Sequence, residues 1–508
     1  MKNLYRYIYL TPILLALFSG CDKDFLEKSP HDKITEETFW KTKNDATAGL
    51  AACYYTLYNN SLFSARNAEW DGLTDNSWDR DGTYGYRSMA KGPVNPYMTD
   101  KITGMYATFF KAIARYNDFL KNVEPIVMDE KLKNGMKAEV KFLRAMNYFY
   151  LEQLYGGVPI ITEPYTVGDE LKMRSTQEEV IALVISDLDY AIANLDDVLY
   201  TGHAVKGSAM LMKTRVLLSQ EKWAEAASLS KSIMQSGKFS LFSDFKKLFY
   251  ESGQENNPEI MFSTKYLSPN VEHKNGLVYG WWTPINPYQS FVDKFECIDG
   301  LDITLSPLYN PADPYKNRDP RLFYTIITPG SSWGEIGYMT FDLNIAAIKG
   351  LTTTNYIVRK VWEEDKNDSQ KGSHCANDIV LMRYAEVLLS FAEAENEANG
   401  PTVEVYNALN LVRGRPGVNM PPLPTGLSKD QMRDKIRNER RIELAFEAGL
   451  RYFDLKRWKI AEAVLNNFPA VSGMKYVFLS NYYLWPILQS EIDYYKGKGK
   501  DFEQNPGY

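Results

Sequence analysis

The sequence predicts a mostly α-helical protein, built from helix pairs and interrupted by one irregular insertion. Two observations lead to this prediction. Apolar residues recur three and four positions apart over long stretches on both sides of the centre, which is typical of helices that bury one face. Between these stretches, residues 239–377 are rich in Pro, Gly, Asn, Tyr and Trp and carry few such stripes. We therefore expect loops and short strands in that segment.

The chain begins with the pattern of a signal peptide over residues 1–20. Lys2 and Arg6 form a positive start, and a short apolar run follows them. The run is shorter than the roughly 20 apolar residues that a membrane-spanning helix needs. It matches the apolar region of a cleavable signal better.

The residues at the end of this run predict a lipid anchor. Ser19 and Gly20 stand directly before Cys21, and this small-small-Cys pattern is similar to a bacterial lipobox. Phe18 departs from that pattern, since a lipobox usually has Leu there. We expect a lipid on Cys21 and a tether over residues 21–34, so that the protein is attached to a membrane without spanning it. An ordinary signal peptide followed by a chance cysteine is the alternative.

Helices are predicted over most of residues 35–238. They cover about residues 35–58, 99–123, 129–155, 177–195, 207–219 and 223–236. The helix over 129–155 has the longest apolar stripe, formed by Met136, Val140, Leu143, Met146, Tyr150 and Leu154. The last two helices are joined by three residues and pack small side chains against large ones, so they resemble a tetratricopeptide unit.

Helical patterns return over residues 378–508. They cover about residues 378–399, 403–413 and 429–448, and a mixed tail follows from 468. A charge-dense run lies at the end of the third helix, formed by Arg437, Glu439, Arg440, Arg441, Glu443, Glu447, Arg451 and Asp454. We interpret this run as structural rather than catalytic, because opposite charges three and four apart can pair along a helix.

Composition excludes several classes of function. The chain has 58 Lys and Arg against 64 Asp and Glu, a net charge of −6, and it lacks basic blocks, which argues against a nucleic-acid partner. If Cys21 carries a lipid, the odd number of cysteines left, Cys53, Cys297 and Cys375, does not make a disulfide framework. The four histidines have no metal-ligand spacing, so we predict no metal and no cofactor.

A series of sequence blocks runs along the whole mature chain. The blocks are CDKDFLEKSP from Cys21, ITEETFW, AEVKFLRAMNYFYLEQLYGGVPI (138–160), NPEIMFS (257–263), FVDKFECIDG (291–300), DPRLFYTI (319–326), LMRYAEVLLSFAEAEN (381–396), IRNERRIELAFEAGLRYFDLKRW (436–458), LWPILQSEI and QNPGY. In their content and order they resemble one family, the SusD/RagB lipoproteins of Bacteroidetes outer membranes. Each block alone is weak evidence, but together they are very specific.

The resemblance implies both a fold and a function. The fold would be a scaffold of tetratricopeptide-like helix pairs with an irregular insertion. The function would be capture of oligo- or polysaccharide at the cell surface and delivery to a SusC-like, TonB-dependent outer-membrane transporter, without catalysis. The acidic residues Asp22 and Asp24 after Cys21 resemble a signal for export to the surface. RagB-like members of the family suggest an alternative function, in which the cargo is a peptide. A third hypothesis is a surface glycoside hydrolase.

Two loop regions combine aromatic and hydrogen-bonding residues as sugar binding requires. Aromatic rings cover the apolar faces of a sugar, and polar side chains bind its hydroxyls. The predicted ligand residues are Asp75, Trp78, Arg80, Tyr84, Tyr86 and Tyr97 in the first region, Tyr279, Trp281, Trp282 and Tyr288 in the second, and Trp333 in a later loop. For each aromatic residue the alternative is packing beneath a long loop. The sequence has no nucleophile elbow, zinc-protease motif or phosphate-binding loop, so no catalytic residue is predicted.

Overall fold

The protein is described by a computed structural model. It describes residues 39–166, 168–333, 339–364, 371–469, 471, 473 and 475–508. The predicted signal peptide, Cys21 and its tether lie outside these residues. Among the described residues, none of the helices combines the length and hydropathy that crossing a bilayer requires.

Seven helices of six or more residues form the described N-terminal part. They are α1 (Lys43–Tyr55), α2 (Tyr86–Lys91), α3 (Met105–Asn122), α4 (Glu130–Tyr155), α5 (Gln177–Asn194), α6 (Lys206–Ser219) and α7 (Trp223–Ser236). The long helix α4 begins where the Asp129 side chain accepts a hydrogen bond from the Leu132 N–H, and it ends before Gly156, whose φ is 75°. A capped start and a glycine stop thus produce the helix that the apolar stripe predicts.

The first predicted helix, over about residues 35–58, is interrupted after Phe39. Phe39 is helical, residues 40–42 form a turn, and α1 begins at Lys43. The reason is local: the Thr42 side chain accepts from the Asp45 N–H, and the Asp45 carboxylate accepts from the Thr42 N–H. This reciprocal capping box begins a helix at that point.

Helix pairs pack side by side, as expected for a tetratricopeptide-like scaffold. Helix α4 lies along α5, and α6 lies along α7. Between α4 and α5, the buried Asp187 carboxylate accepts hydrogen bonds from Arg144 Nε at 2.7 Å and from Lys141 Nζ at 2.7 Å. The helices α6 and α7 are joined by residues 220–222, as the sequence predicts.

Six further helices form the C-terminal part. They are α8 (Tyr384–Asn399), α9 (Val403–Arg413), α10 (Lys429–Glu443), α11 (Leu450–Arg457), α12 (Ala461–Asn466) and α13 (Gln489–Gly497). Helix α8 packs on α7, α9 and α10, so one apolar core joins the N-terminal and C-terminal helices. The N-terminal and C-terminal helices thus share one core, and the insertion connects them in the sequence.

The insertion contains most of the short strands. The described residues contain eight strands: β1 (Ser77–Asp79), β2 (Ile260–Thr264), β3 (Ile285–Pro287), β4 (Ile326–Ile327), β5 (Ser332–Trp333), β6 (Met339–Thr340), β7 (Ile357–Val358) and β8 (Ile379–Arg383). They pair antiparallel as β1–β3, β2–β8, β4–β7 and β5–β6. Short helical turns at Asn275–Leu277, Gln289–Val292, Arg321–Thr325 and Ala346–Lys349 lie between them. The insertion has a smaller apolar core of its own, to which Ile442 and Phe446 of the C-terminal part also contribute.

Two predicted helix boundaries in the C-terminal part are wrong. Residues 379–383 form strand β8 rather than the start of α8, because they pair with β2, with Met382 opposite Phe262. The helix predicted to reach residue 448 ends at Glu443. The segment after it contains Phe446 and Ala448 at positive φ, and the Phe446 N–H donates to the Asp71 carboxylate at 2.8 Å instead of to a helix carbonyl.

The charge-dense run is structural, but its partners lie mostly on other elements. Glu443 is fully buried and accepts hydrogen bonds from three arginines: Arg383 and Arg415 at 2.7 Å and Arg321 at 2.9 Å. Burial alone would raise the pKa of Glu443, but these arginines outweigh it and hold the pKa far below its ordinary value. We call this group, together with Glu259, Glu439, Glu447 and Lys360, the arginine–glutamate cluster.

Replacing the central carboxylate should destabilise the fold strongly. Glu443→Gln leaves three buried guanidinium groups without their shared counter-charge, which costs roughly 3–5 kcal/mol when a buried pair is broken. Urea unfolding followed by circular dichroism measures this free energy. The control is Glu404→Gln, which breaks an exposed pair with Lys231 and should cost no more than about 1 kcal/mol. Equal losses in the two variants would contradict the central role of Glu443.

Candidate functional site

The structure brings the two predicted ligand-binding regions together. Strand β1 of the first region pairs with β3 of the second, with Trp78 opposite Asn286. The ladder is extended at both ends, since Arg80 N–H donates to the Pro284 carbonyl at 2.7 Å and Tyr288 N–H donates to the Asn76 carbonyl at 2.9 Å. Segments about 200 residues apart thus form one surface, which the sequence could not show.

Two adjacent tryptophans are exposed at this surface. Trp281 and Trp282 are 38% and 54% exposed and end a π-helical turn, Val278–Trp282, which we call the tryptophan turn. Thr283 follows with φ 43° and ψ 60°, a left-handed conformation that is costly for a β-branched residue. The Thr283 hydroxyl donates to the Leu351 carbonyl, which helps to hold this backbone in place.

Arg80 from the first region holds the tryptophan turn from the side. Its Nε donates to the Thr283 carbonyl at 3.1 Å, and its Nη2 donates to the Trp282 carbonyl. Partial burial lowers the pKa of Arg80 from its ordinary value, although an arginine stays charged at neutral pH. The positive charge therefore lies at the edge of the exposed tryptophans.

Tyr84 and Tyr97, also from the first region, are connected through Lys101. The half-buried Tyr84 ring lies under two cations, with Arg66 Cζ at 4.0 Å and Lys101 Nζ at 4.4 Å from its centroid. Lys101 and Tyr97 both line a cleft of about 590 Å³ between residues 96–104 and the start of α13. Tyr97 is 72% exposed, so its ring is available to a ligand in what we call the Tyr97 cleft.

The remaining predicted residues of these two regions are buried. They are Asp75, Trp78, Tyr86, Tyr279 and Tyr288, each at most 5% exposed. Their contacts are with the protein itself: the Tyr288 hydroxyl donates to the Tyr476 hydroxyl at 3.0 Å, for example. The structure thus presents no ring face of these residues to solvent, and a ligand contact for them stays a prediction. Trp333 lies in β5, and its side chain is outside the described part of the structure.

Asp75 connects the candidate surface to the C-terminal helices. Its carboxylate accepts hydrogen bonds from Arg451 Nε and Nη2, both at 2.9 Å, and lies 3.0 Å from Arg441 Nη2. Burial alone would raise the pKa of Asp75, but the two arginines outweigh it and lower the pKa to about 2. Asp75 is therefore a charged anchor beneath the exposed residues.

Some exposed groups near the site were not predicted from the sequence. Gln489, Ser490 and Asp493, at the start of α13, line the Tyr97 cleft and add hydrogen-bonding groups to it. Tyr494 is 53% exposed on the same helix. The available signal was the run EIDYYKG, in which polar residues surround two tyrosines, but it lies in a tail that the sequence pattern did not connect with residue 97.

The structure offers no evident metal centre. Within the part of the chain that it describes, His, Cys, Asp and Glu side chains do not gather in groups of three that could hold an ion. Cys53, Cys297 and Cys375 are buried thiols.

Comparison with known proteins identifies the family. The model of the SusD family matches residues 248–508, and a second model, described as starch-binding and associating with the outer membrane, matches residues 24–218. The chain belongs to the SusD family. This match confirms the resemblance that we inferred from the ordered sequence blocks. It also agrees with the mostly α-helical fold that the sequence predicts.

Individual SusD-like relatives agree over nearly the whole length. SusD-like protein P38 of Formosa agariphila is 27% identical, with 94% of this chain and 95% of the relative covered. SusD-like protein P25 of the same organism is 25% identical, with 91% and 90% covered. The crystal structure of a SusD-like carbohydrate binding protein from Bacteroides fragilis is 28% identical, with a TM-score of 0.80 and coverage of 90% of this chain and 99% of that one.

Removing the Asp75 charge should change the acid stability of the protein. With a pKa near 2 in the folded state against an ordinary 3.8, Asp75 contributes roughly 2 kcal/mol above about pH 4. This contribution is lost as the pH falls from about 4 towards 2, because the unfolded carboxylate binds its proton first. Urea unfolding at a series of pH values should therefore show a shallower acid decline for Asp75→Asn than for the wild type. Parallel curves would contradict it.

Proposed function

We propose that this SusD-family chain is a cell-surface lipoprotein that captures oligo- or polysaccharide and delivers it to a TonB-dependent outer-membrane transporter. The observation that carries the glycan-binding part is the tryptophan turn, which exposes Trp281 and Trp282 side by side on a fixed backbone. Glycan capture is also in keeping with the carbohydrate-binding relative of the same fold.

The tryptophan turn supplies the two kinds of contact that a sugar needs. The indole rings offer apolar faces against which the C–H face of a sugar ring can pack. Arg80 donates hydrogen bonds from Nε and Nη2 to the backbone carbonyls of Thr283 and Trp282. A guanidinium has five N–H groups, so Arg80 keeps further donors for a ligand hydroxyl. Binding by this surface therefore needs no metal or cofactor.

We extend the proposed surface to the Tyr97 cleft. Lys101 connects Tyr84 with this cleft, because its ammonium group lies over the Tyr84 ring and the residue also lines the cleft. Tyr97 offers an aromatic face there, and Gln489 and Asp493 offer hydrogen-bonding groups. A long glycan can use both ends of this surface, whereas a short one can use only one.

We propose binding rather than hydrolysis because two buried carboxylates near the tryptophan turn, Asp75 and Asp79, already have structural partners. Asp75 is held by two arginines. Asp79 accepts from the Gly82 N–H at 2.9 Å and from the Arg87 N–H at 2.7 Å. The general acid or nucleophile of a glycosidase must instead contact the glycosidic bond that is cleaved. We therefore assign neither role to these two carboxylates.

Loss of either tryptophan should weaken glycan binding. Trp281→Ala and Trp282→Ala each remove a ring whose burial against a ligand contributes roughly 1.5 kcal/mol, which corresponds to about a tenfold loss of affinity. Affinity electrophoresis against starch and a panel of other polysaccharides finds the ligand, and calorimetry then measures the loss. The control is Tyr55→Ala, which removes a 60% exposed ring elsewhere.

The glycan proposal fails on either of two results. Absence of binding to every polysaccharide in the panel is one of them. Equal affinity of the wild type and both tryptophan variants for a bound polysaccharide is the other. Release of new reducing ends from that polysaccharide would overturn the proposed absence of catalysis.

The anchor and the transporter partner are tested in the native membrane. Mass spectrometry of the wild-type protein should show a lipid-modified Cys21 at the mature N-terminus, and Cys21→Ser should leave the membrane fraction. The wild type should co-purify with a TonB-dependent transporter from gently solubilised outer membranes. An unmodified Cys21 would overturn the anchor, and purification without any transporter would overturn the delivery role.

A further inference from the structure

A second cavity of about 360 Å³ lies where α4 ends, α5 begins and α11 ends. None of its lining residues belongs to the tryptophan turn or the Tyr97 cleft. Its deepest charged groups are Glu152 and Lys456, each 4% exposed, while Gln220 and Lys459 lie at its exposed rim. We call it the polar cavity.

Lys456 has hydrogen-bonding capacity that the protein does not use. Its Nζ donates to the Gln153 carbonyl at 2.5 Å, the one hydrogen bond that it makes among the described residues. An ammonium carries three N–H groups, so two remain. The ammonium also lies 5.3 Å from the centroid of the Tyr452 ring, a cation–π contact that offsets part of the cost of burying its charge. A ligand oxygen in the polar cavity that accepts from the remaining N–H groups would reduce that cost further.

Glu152 faces the same cavity with a partly satisfied carboxylate. It accepts from the side-chain amides of Gln153 at 2.7 Å and Gln177 at 3.2 Å. Among the described ion pairs, none joins Glu152 to Lys456 within 4.0 Å, yet the two interact electrostatically. Burial raises the pKa of Glu152 to about 7 and lowers that of Lys456 to about 7. The cavity floor therefore offers both donors and acceptors without a large net charge.

The other walls favour a neutral ligand rich in hydroxyls. Gln177 and Gln220 supply amides, which both donate and accept, and Ser219 and Tyr483 supply hydroxyls. Glu178 and Lys459 add one acid and one base at the exposed rim, and Arg457 is already paired with Glu393 and Asp454. A strongly anionic ligand would be repelled by Glu152, and a cationic one would be repelled by Lys456. The volume is at the lower end of the roughly 300–1,000 Å³ typical of small-molecule sites, so the cavity suits a small molecule rather than a long chain.

We propose that the polar cavity is a second binding site, which takes a single neutral sugar unit between Glu152, Lys456 and the glutamine amides. This site is separate from the tryptophan turn and does not depend on the function proposed for that surface. A hydroxyl of the sugar donates to Glu152, and another of its oxygens accepts from Lys456.

The test uses the mature protein with glucose, galactose, mannose and xylose as sugar probes and glycine as a zwitterionic comparison, and ligand-observed NMR measures their binding. Binding of at least one sugar is expected in the millimolar range, which corresponds to about −4 kcal/mol. The double variant Trp281→Ala and Trp282→Ala should keep this affinity. Lys456→Met should lower it about tenfold, and Gln220→Ala at the exposed rim should lower it less while leaving the fold intact.

Three results would overturn the proposal. One is the absence of binding by all four sugars up to about 50 mM, well above the range in which such weak complexes form. Another is binding that disappears in the double tryptophan variant but persists in Lys456→Met and Gln220→Ala. The third is binding of glycine instead of any sugar, which would show that the acid and the base recognise a zwitterion. Because the tryptophan variants are tested separately with polysaccharides, failure here leaves the proposed function of that surface intact.

Discussion

The buried carboxylate of Glu443 is the contact on which the arrangement of the insertion depends. Its three arginines come from different parts of the chain: Arg321 from the insertion, Arg383 from the end of β8, and Arg415 from the segment after α9. Hydrophobic packing could join these elements in several ways, but three guanidinium groups around one carboxylate allow few alternatives. A buried ion cluster gains little net stability, since desolvation offsets the attraction. We therefore infer that this cluster acts mainly by selecting one arrangement.

A second anchor connects this framework to the candidate binding surface. Helix α10 places Glu443 towards the arginine–glutamate cluster and Arg441 towards Asp75, beside which lies Arg451 of α11. Asp75 precedes β1, β1 pairs with β3, and Arg80 after β1 holds the tryptophan turn before β3. The position of the exposed tryptophans is thus set by charges in the C-terminal helices. The charge-dense run therefore matters for the surface although most of its residues are buried.

Local sequence patterns predicted most helices, because a helix buries one face with a period that a short stretch already shows. The failures occurred where distant partners determine the backbone. Residues 379–383 share the apolar composition of α8, but pairing with β2 makes them a strand. Helix α10 ends early because the Phe446 N–H donates a hydrogen bond to the Asp71 carboxylate rather than to a helix carbonyl. The same limit applies to the site: Trp78 and Trp282 look alike in sequence, but Trp78 lies in β1 and is buried, whereas Trp282 ends the tryptophan turn and is 54% exposed.

The form in which the tryptophans are exposed is itself an argument for binding. Exposed indole rings have unfavourable contact with water, and solvent-exposed apolar patches usually mark interaction sites. Here they end a π-helical turn closed by Thr283 in a left-handed conformation, and such strain persists only where surrounding contacts impose it. Arg80 and the Leu351 carbonyl provide those contacts. Because the backbone beneath the rings is already fixed, it loses little conformational freedom when a ligand packs against them, so more of the interaction energy remains as affinity.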